Sequence, residues 1–172
     1  SLSDAAECAK ALGVRYDVVP IAPAVEGFLA MLERVFAGRE SDVTEENVQS
    51  RVRGTALMAV SNKFGGMVLT TGNKSDMSVG YATLYGDMNG GFNPVKDLYK
   101  TEVYRLSQLR NAWKPNGALG PGGLVIPENI LTRPPTADLR VNQTDQGSLP
   151  PYDVLDAILE RLVEREQPLA DI

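Results

Sequence analysis

The chain has no histidine, one cysteine and one tryptophan among 172 residues, and aromatic side chains make up 6% of it. Without histidine, Ser-His-Asp and Cys-His catalysis are excluded, and so are the common zinc sites. Cys8 alone cannot form an internal disulfide, which predicts a reducing, cytoplasmic setting. Its neighbours Ala5, Ala6, Ala9 and Leu12 mark it as a small structural side chain. No run approaches the roughly 20 apolar residues of a membrane span. Basic residues are the scarcer sign, 17 Lys and Arg against 22 Asp and Glu for a net charge of −5, so nucleic acid is not the expected partner. The chain opens Ser-Leu-Ser-Asp with neither an initiator Met nor a basic, apolar signal, and reads as beginning within a longer protein.

What is present suffices for a packed fold. With 43% apolar and 23% charged residues the chain can bury a core, as one domain or one piece of a larger one. Residues 1–12 are predicted helical, with Ser3 as N-cap and Gly13 as C-cap. Residues 14–21 alternate as a strand, and a second helix is expected over 24–36. A third follows, capped by Thr44, with Glu45 and Glu46 in its first turn and a stripe of Val48, Val52, Ala56, Ala59 and Val60; Gly65-Gly66 ends it. Residues 67–71 are apolar enough for a short strand buried in a parallel sheet. Pro94 introduces a helix to about residue 109, and Pro127 starts a short one. The last helix begins near Pro151, with Val154, Leu155, Ile158, Leu159, Leu162 and Val163 inward. Helix, glycine turn, strand and glycine loop in that order is half of a βαβ unit.

The informative place is the end of the predicted strand, Thr70-Thr71-Gly72-Asn73-Lys74-Ser75-Asp76. Ligands of open α/β sheets bind at the carboxyl ends of strands, and this turn combines a glycine, hydroxyls, an amide, a cation and a carboxylate. The hydroxyls and N–H groups suit phosphate or ribose, and Asp76 offers hard oxygen to Mg²⁺; a solvated turn is the alternative. Asn47 and Arg51, four apart, share a helix flank that is either a ligand wall or simply solvated. Arg53 receives no role. Tyr81 and Tyr85, in the glycine-rich stretch after the turn, are either a ring platform or core residues with wet hydroxyls. Lys100, near a helix start, opposes the dipole there and hints at an anionic partner.

The strings Glu46-Asn47-Val48-Gln49-Ser50-Arg51-Val52-Arg53 and Thr70-Thr71-Gly72-Asn73-Lys74-Ser75 resemble those of the NAD⁺ synthetase family. The likeness continues through residues 80–92, Asp97-Leu98-Tyr99-Lys100-Thr101, Pro134-Pro135-Thr136-Ala137-Asp138-Leu139-Arg140 and Ser148-Leu149-Pro150-Pro151-Tyr152-Asp153. These strings run the length of the chain in the family's order, and their wording is closest to the glutamine-dependent bacterial branch. The resemblance implies an α/β fold of the ATP-pyrophosphatase kind: a three-layer parallel sheet flanked by helices, Rossmann-like and similar to the adenine nucleotide alpha hydrolases, here incomplete. It implies amidation of deamido-NAD⁺ to NAD⁺. The nicotinate carboxylate attacks the α-phosphate of ATP, pyrophosphate leaves, and ammonia displaces AMP. Carried over by position, Asn47, Arg51, Asp76 and Tyr81 would meet deamido-NAD⁺, and Thr71, Lys100 and Thr136 would meet ATP. Asp76 would also serve catalysis and Mg²⁺. It stands where the family has Glu, a reach shorter by about 1.5 Å that a water can bridge.

Two departures accompany the likeness. The family's Ser-Gly-Gly-x-Asp-Ser phosphate loop would lie upstream of Ser1, and its basic C-terminal segment beyond Ile172. The resemblance therefore implies that residues 1–172 are a partial synthetase domain, inert alone. Its parent would carry an amidase domain that makes ammonia from glutamine and would form a homodimer or higher homo-oligomer. The alternatives are an ammonia-dependent synthetase and a non-catalytic nucleotide-binding or dimerisation remnant. All these readings need the turn after residue 71, the flank bearing Asn47 and the segment reaching Lys100 to converge on one hollow.

Overall fold

The computed structural model describes residues 2–139 and 143–172; Ser1, expected in the first helix, and Arg140, in the family string, lie outside them. Helix α1 spans Leu2–Leu12, α2 Ala22–Phe36, α3 Val43–Phe64, α4 Lys74–Ser78, α5 Lys100–Ala112, α6 Glu128–Thr132 and α7 Tyr152–Leu159. A π-turn at Glu160–Glu164 extends α7, and short 3₁₀ turns occupy Asp145–Gly147 and Leu169–Asp171. None of the described helices is long and apolar enough to cross a membrane.

The capping chemistry explains where the helices begin. Asp42, not Thr44, caps α3: its Oδ1 accepts from Thr44 N at 2.7 Å, and Glu45 Oε2 returns to accept from Asp42 N at 2.8 Å. The reciprocal pair satisfies two of the free N–H groups of the first turn, which Thr44 alone could not do. Gly65 ends α3 in the left-handed region, its N–H bonded to Ser61 O. Ser3 lies inside α1 rather than capping it. Helix α5 starts six residues after Pro94, because residues 94–97 form a turn and Glu102 Oε2 accepts from Tyr99 N at 2.8 Å to open the helix there.

The expected strands do not form ladders. Among the described residues the β-pairing is one parallel bridge, Leu69 to Phe92, made by Thr70 N to Phe92 O and Gly91 N to Val68 O, each 2.9 Å. Residues 14–21 are irregular. A strand is a pairing and not a property of one segment, so an alternating run without a neighbour stays unpaired. Where a parallel sheet is expected, the described residues show a single bridge between Leu69 and Phe92.

Two groups of helices frame the site. Helix α2 packs on α3, and α4, α5 and α7 pack on one another. Tyr99, Tyr152, Leu155 and Leu159 form the apolar core of the second group, with Leu149 against it. On α7 the buried face is Tyr152, Leu155, Asp156 and Leu159, the i, i+3, i+4, i+7 stripe; Val154, Ile158, Leu162 and Val163, expected inward, stay exposed. Helix α7 is apolar on more than one side, so periodicity could not choose between the faces.

Candidate functional site

Helix α3, the turn after residue 69 and the start of α5 enclose a hollow of about 450 Å³, a volume within the range of small-molecule sites. Asn47, Ser50, Arg53 and Gly54 of α3 form one wall, Thr70, Thr71, Gly72 and Asp76 the floor, Tyr81 and Thr83 a second wall, and Lys100 the far side. Thr136, Ala137, Leu139, Gln143 and Asp145 close it. Six of the seven residues expected at the site from sequence therefore meet: Asn47, Thr71, Asp76, Tyr81, Lys100 and Thr136. A second hollow of about 250 Å³ adjoins it and shares Thr70, Gly72, Asp76 and Tyr81.

Arg51 is the seventh and stands outside the wall. Its Nε donates to the Leu84 carbonyl at 3.2 Å and its side chain is exposed. Ser50 lies near the middle of the inward face of α3, and the next residue along a helix is rotated by about 100°. Arg53 takes the inward position instead. Its Nη2 donates to Gln49 Oε1 at 3.1 Å and to the Asp138 carbonyl at 2.8 Å, and its Nη1 to the Ala137 carbonyl at 3.4 Å. One guanidinium thus ties the segment bearing Thr136 to α3. Nothing in the local sequence separated Arg51 from Arg53, since the rotation of α3 is set by what packs against it.

The second wall is a turn built on α3. Thr83 Oγ1 donates to Asn47 Oδ1 at 2.8 Å, and Asp87 Oδ1 accepts from Thr83 N at 2.7 Å and from Ser50 Oγ at 3.3 Å. Tyr81 Oη is buried and, like Asp145 Oδ1, meets no partner in hydrogen-bond geometry. Burial, followed by the nearby charge of Asp145, pushes the Tyr81 phenol up to about 12. At physiological pH it is neutral, and the Asp145 carboxylate beside it is the acceptor available to its proton.

The turn from Asn73 to Asp76 divides its side chains between structure and site. Asn73 caps α4: its Oδ1 accepts from Asp76 N at 3.0 Å, and its Nδ2 donates to Asp76 Oδ2 at 2.6 Å. Lys74 turns away to pair with Glu164 and lies 5.2 Å from the centroid of the Tyr99 ring. That pairing raises the lysine's pKa and lowers the glutamate's. Ser75 is fully buried, donating to Asp156 and accepting from Lys100 N at 2.8 Å. Of residues 73–76 only Asp76 faces the hollow, beside Thr70, Thr71 and Gly72 of the preceding residues.

Asp76 Oδ1 accepts from the Tyr152 hydroxyl at 2.6 Å, and the same hydroxyl reaches Asp145 Oδ2 at 2.8 Å. Lys100 Nζ lies 5.3 Å from the centroid of the Tyr152 ring. Neither Tyr152 nor Asp145 was singled out from sequence; each lies some seventy residues from Asp76, and no spacing rule links positions so far apart. The walls carry Glu46, Asp76, Asp87 and Asp145 against Arg53 and Lys100, so an anionic ligand here needs added positive charge. Among the described residues no group of three or more Cys, Asp or Glu side chains could hold a metal by itself. Each Asp76 oxygen accepts one hydrogen bond and keeps a second lone pair. That fits a Mg²⁺ that arrives with phosphate and retains its waters, rather than a cage of protein ligands.

A family model described as NAD synthase matches residues 1–172. The glutamine-dependent NAD(+) synthetase of Rhodobacter capsulatus is 59% identical over the whole chain, which covers 31% of that protein. That of Thermotoga maritima is 56% identical over 95% of the chain and 27% of its own length. The chain spans about 30% of the curated relatives it matches. Among solved structures, the glutamine-dependent NAD⁺ synthetase of Acinetobacter baumannii, in complex with adenosine diphosphate, is 46% identical. It aligns over 99% of this chain and 28% of that one, with a TM-score of 0.71. The NMN synthetase of Francisella tularensis is 28% identical over 92% of this chain and 60% of that one, with a TM-score of 0.77.

Proposed function

The chain belongs to the NAD synthase family, and from that premise we propose that it forms part of the ligand site of a glutamine-dependent NAD⁺ synthetase. The observation that carries this reading is the convergence of Asn47, Thr71, Asp76, Tyr81, Lys100 and Thr136 on one hollow from four separate stretches of chain. In the proposed reaction the nicotinate carboxylate of deamido-NAD⁺ attacks the α-phosphate of ATP and pyrophosphate leaves. Ammonia then displaces AMP from the acyl adenylate to give NAD⁺. The chemistry calls for gathering two anionic ligands and offsetting their charge, which is positional and electrostatic catalysis.

In this reading Asn47, Asp76 and Tyr81 meet deamido-NAD⁺. Thr71, Lys100 and Thr136 meet ATP. Arg51 reaches the dinucleotide only by leaving the Leu84 carbonyl, and Arg53 is the cation already facing inward. Asp76 is the residue proposed to hold Mg²⁺, which would shield the phosphates against the four carboxylates of the walls. The three-layer parallel sheet belongs to the same proposal, with residues 14–21 and 67–71 as strands awaiting neighbours; the TM-scores to two synthetase structures support it. A larger parent with an amidase domain as ammonia source, a cytoplasmic setting, homo-oligomeric assembly and inactivity of residues 1–172 alone are further parts of the same proposal.

Titration calorimetry tests the reading. Deamido-NAD⁺ is expected to bind weakly, with Asn47→Ala abolishing its heat, and Lys100→Met is expected to abolish the weaker heat of ATP. Absence of heat from both ligands at millimolar concentration overturns the proposal, and so does binding that neither substitution changes. The full-length protein bearing this segment is expected to form NAD⁺ from deamido-NAD⁺, ATP and glutamine; product with ammonia and none with glutamine identifies the ammonia-dependent kind.

A further inference from the structure

Helix α7 touches the hollow indirectly, through two residues one turn apart. Asp156 accepts from Ser75 Oγ and, at 2.9 Å, from Thr101 N, so it joins a side chain of α4 to the backbone of the first turn of α5. Tyr152, on the same face and 6% exposed, joins their side chains. Its hydroxyl lies 2.6 Å from Asp76 Oδ1, and the face of its ring lies under Lys100 Nζ at 5.3 Å. The hydroxyl has one proton to give, and Asp145 Oδ2, at 2.8 Å, competes with Asp76 for it. The carboxylate and the cation that face the hollow thus lean on opposite parts of one buried side chain.

We propose that Tyr152 is a positioning residue that sets Asp76 with its hydroxyl and Lys100 with its ring. The inference rests on the reading of the hollow as a site for deamido-NAD⁺ and ATP. It adds that the two ligand contacts are separable at a single residue. Removing the hydroxyl releases Asp76 and leaves the ring beneath Lys100; removing the ring releases both. A hydrogen bond to a charged group and a cation–π contact are each strong enough to bias a side chain among rotamers.

The test compares the chain with Tyr152→Phe and Tyr152→Leu, first without ligand and then with each nucleotide. In the free protein, Tyr152→Phe is expected to move the Asp76 side-chain ¹³Cγ resonance and to leave the ring-current shift of the Lys100 ε-methylene in place. Tyr152→Leu is expected to remove that shift as well. In calorimetry, Tyr152→Phe raises the Kd for deamido-NAD⁺ about tenfold and moves that for ATP by less than about twofold, whereas Tyr152→Leu raises the ATP value by about two- to fivefold too. Tyr152→Phe deletes one oxygen from the core and carries the decision if Tyr152→Leu does not fold. Resonances of Asp76 and Lys100 indifferent to both substitutions overturn the inference, as does a Tyr152→Phe variant weakened equally toward both nucleotides. A parent chain that binds neither nucleotide overturns the functional reading alone, and the ligand-free resonances still decide the role of Tyr152.

Discussion

Gly54 of α3 lies directly against the backbone of Gly86: a methyl group at Gly54 would sit 2.8 Å from the Gly86 carbonyl oxygen and 2.8 Å from that of Tyr85. Both obstacles are main chain, so the turn would have to shift as a unit. Gly54→Ala is expected to destabilise by about 1–3 kcal/mol, read from the urea midpoint, and to weaken deamido-NAD⁺ binding because Thr83 moves off Asn47. Gly27→Ala in α2 is the control. Nothing lies within 4 Å of its missing Cβ, and the change is expected to stabilise by about 0.5–1 kcal/mol through helix propensity.

Tyr81→Phe is expected to change stability at pH 8 by less than about 1 kcal/mol, because the deleted hydroxyl lies beside Asp145 but outside good hydrogen-bond geometry. The same variant tests the alkaline limb. The Tyr81 phenol titrates near 12 in the folded chain against 10.0 for an ordinary tyrosine, so the native state holds the proton more tightly. Its contribution is fully present below pH 10 and is lost as the pH rises toward 12. Urea midpoints between pH 9 and 11.5 are expected to fall less steeply in Tyr81→Phe. Some slope persists, since burial raises Tyr99, Tyr104 and Tyr152 as well. Equal slopes in the two proteins would contradict the assignment.

The acid limb has a different origin. Hydrogen bonding at the start of α3 holds both Asp42 and Glu45 below their ordinary values of 3.8 and 4.5. Their contribution is present above those values and is lost as the pH falls through the lower folded ones. Asp42→Asn keeps an acceptor for Thr44 N but cannot titrate, so ellipticity at 222 nm is expected to decline less steeply below pH 4. Asp42→Ala lowers Tm at every pH because the cap itself is gone.

Arg53→Ala is expected to free residues 133–139 from α3, since the guanidinium supplies the bonds to the Ala137 and Asp138 carbonyls. Amide exchange in that segment rises, and ATP binding weakens through the neighbouring Thr136. Arg53→Lys does not restore protection, because one ammonium cannot reproduce the fork that serves Gln49 and two carbonyls together. Unchanged exchange in Arg53→Ala would assign the closure of the hollow to other contacts.

Much of this was legible before any coordinates. The helical runs of α2, α3 and α7 are written in local spacing, as are the glycine that ends α3 and the proline that starts α6. Family-like strings named six residues that do share the hollow. The departures from expectation have specific causes. Thr44 and Asp42 both suit an N-cap, and the decision lay with Glu45 reaching back to Asp42. Alternation over residues 14–21 announces a strand only if a neighbour supplies the ladder. Arg51 and Arg53 are equivalent as letters, and which of them faces inward depends on the rotation of α3 against its neighbours, which no local pattern encodes.

The sequence by itself determined which segments coil, where several of them stop and what chemistry is available, since hydrogen bonds between residues four apart and the conformational limits of Gly and Pro act locally. The tertiary structure alone decided that Tyr152, 76 positions from Asp76, would bring its hydroxyl to that carboxylate and the face of its ring to Lys100. Contacts across such separations depend on how α4, α5 and α7 pack, and packing answers to the shape of the whole core rather than to any one stretch of residues.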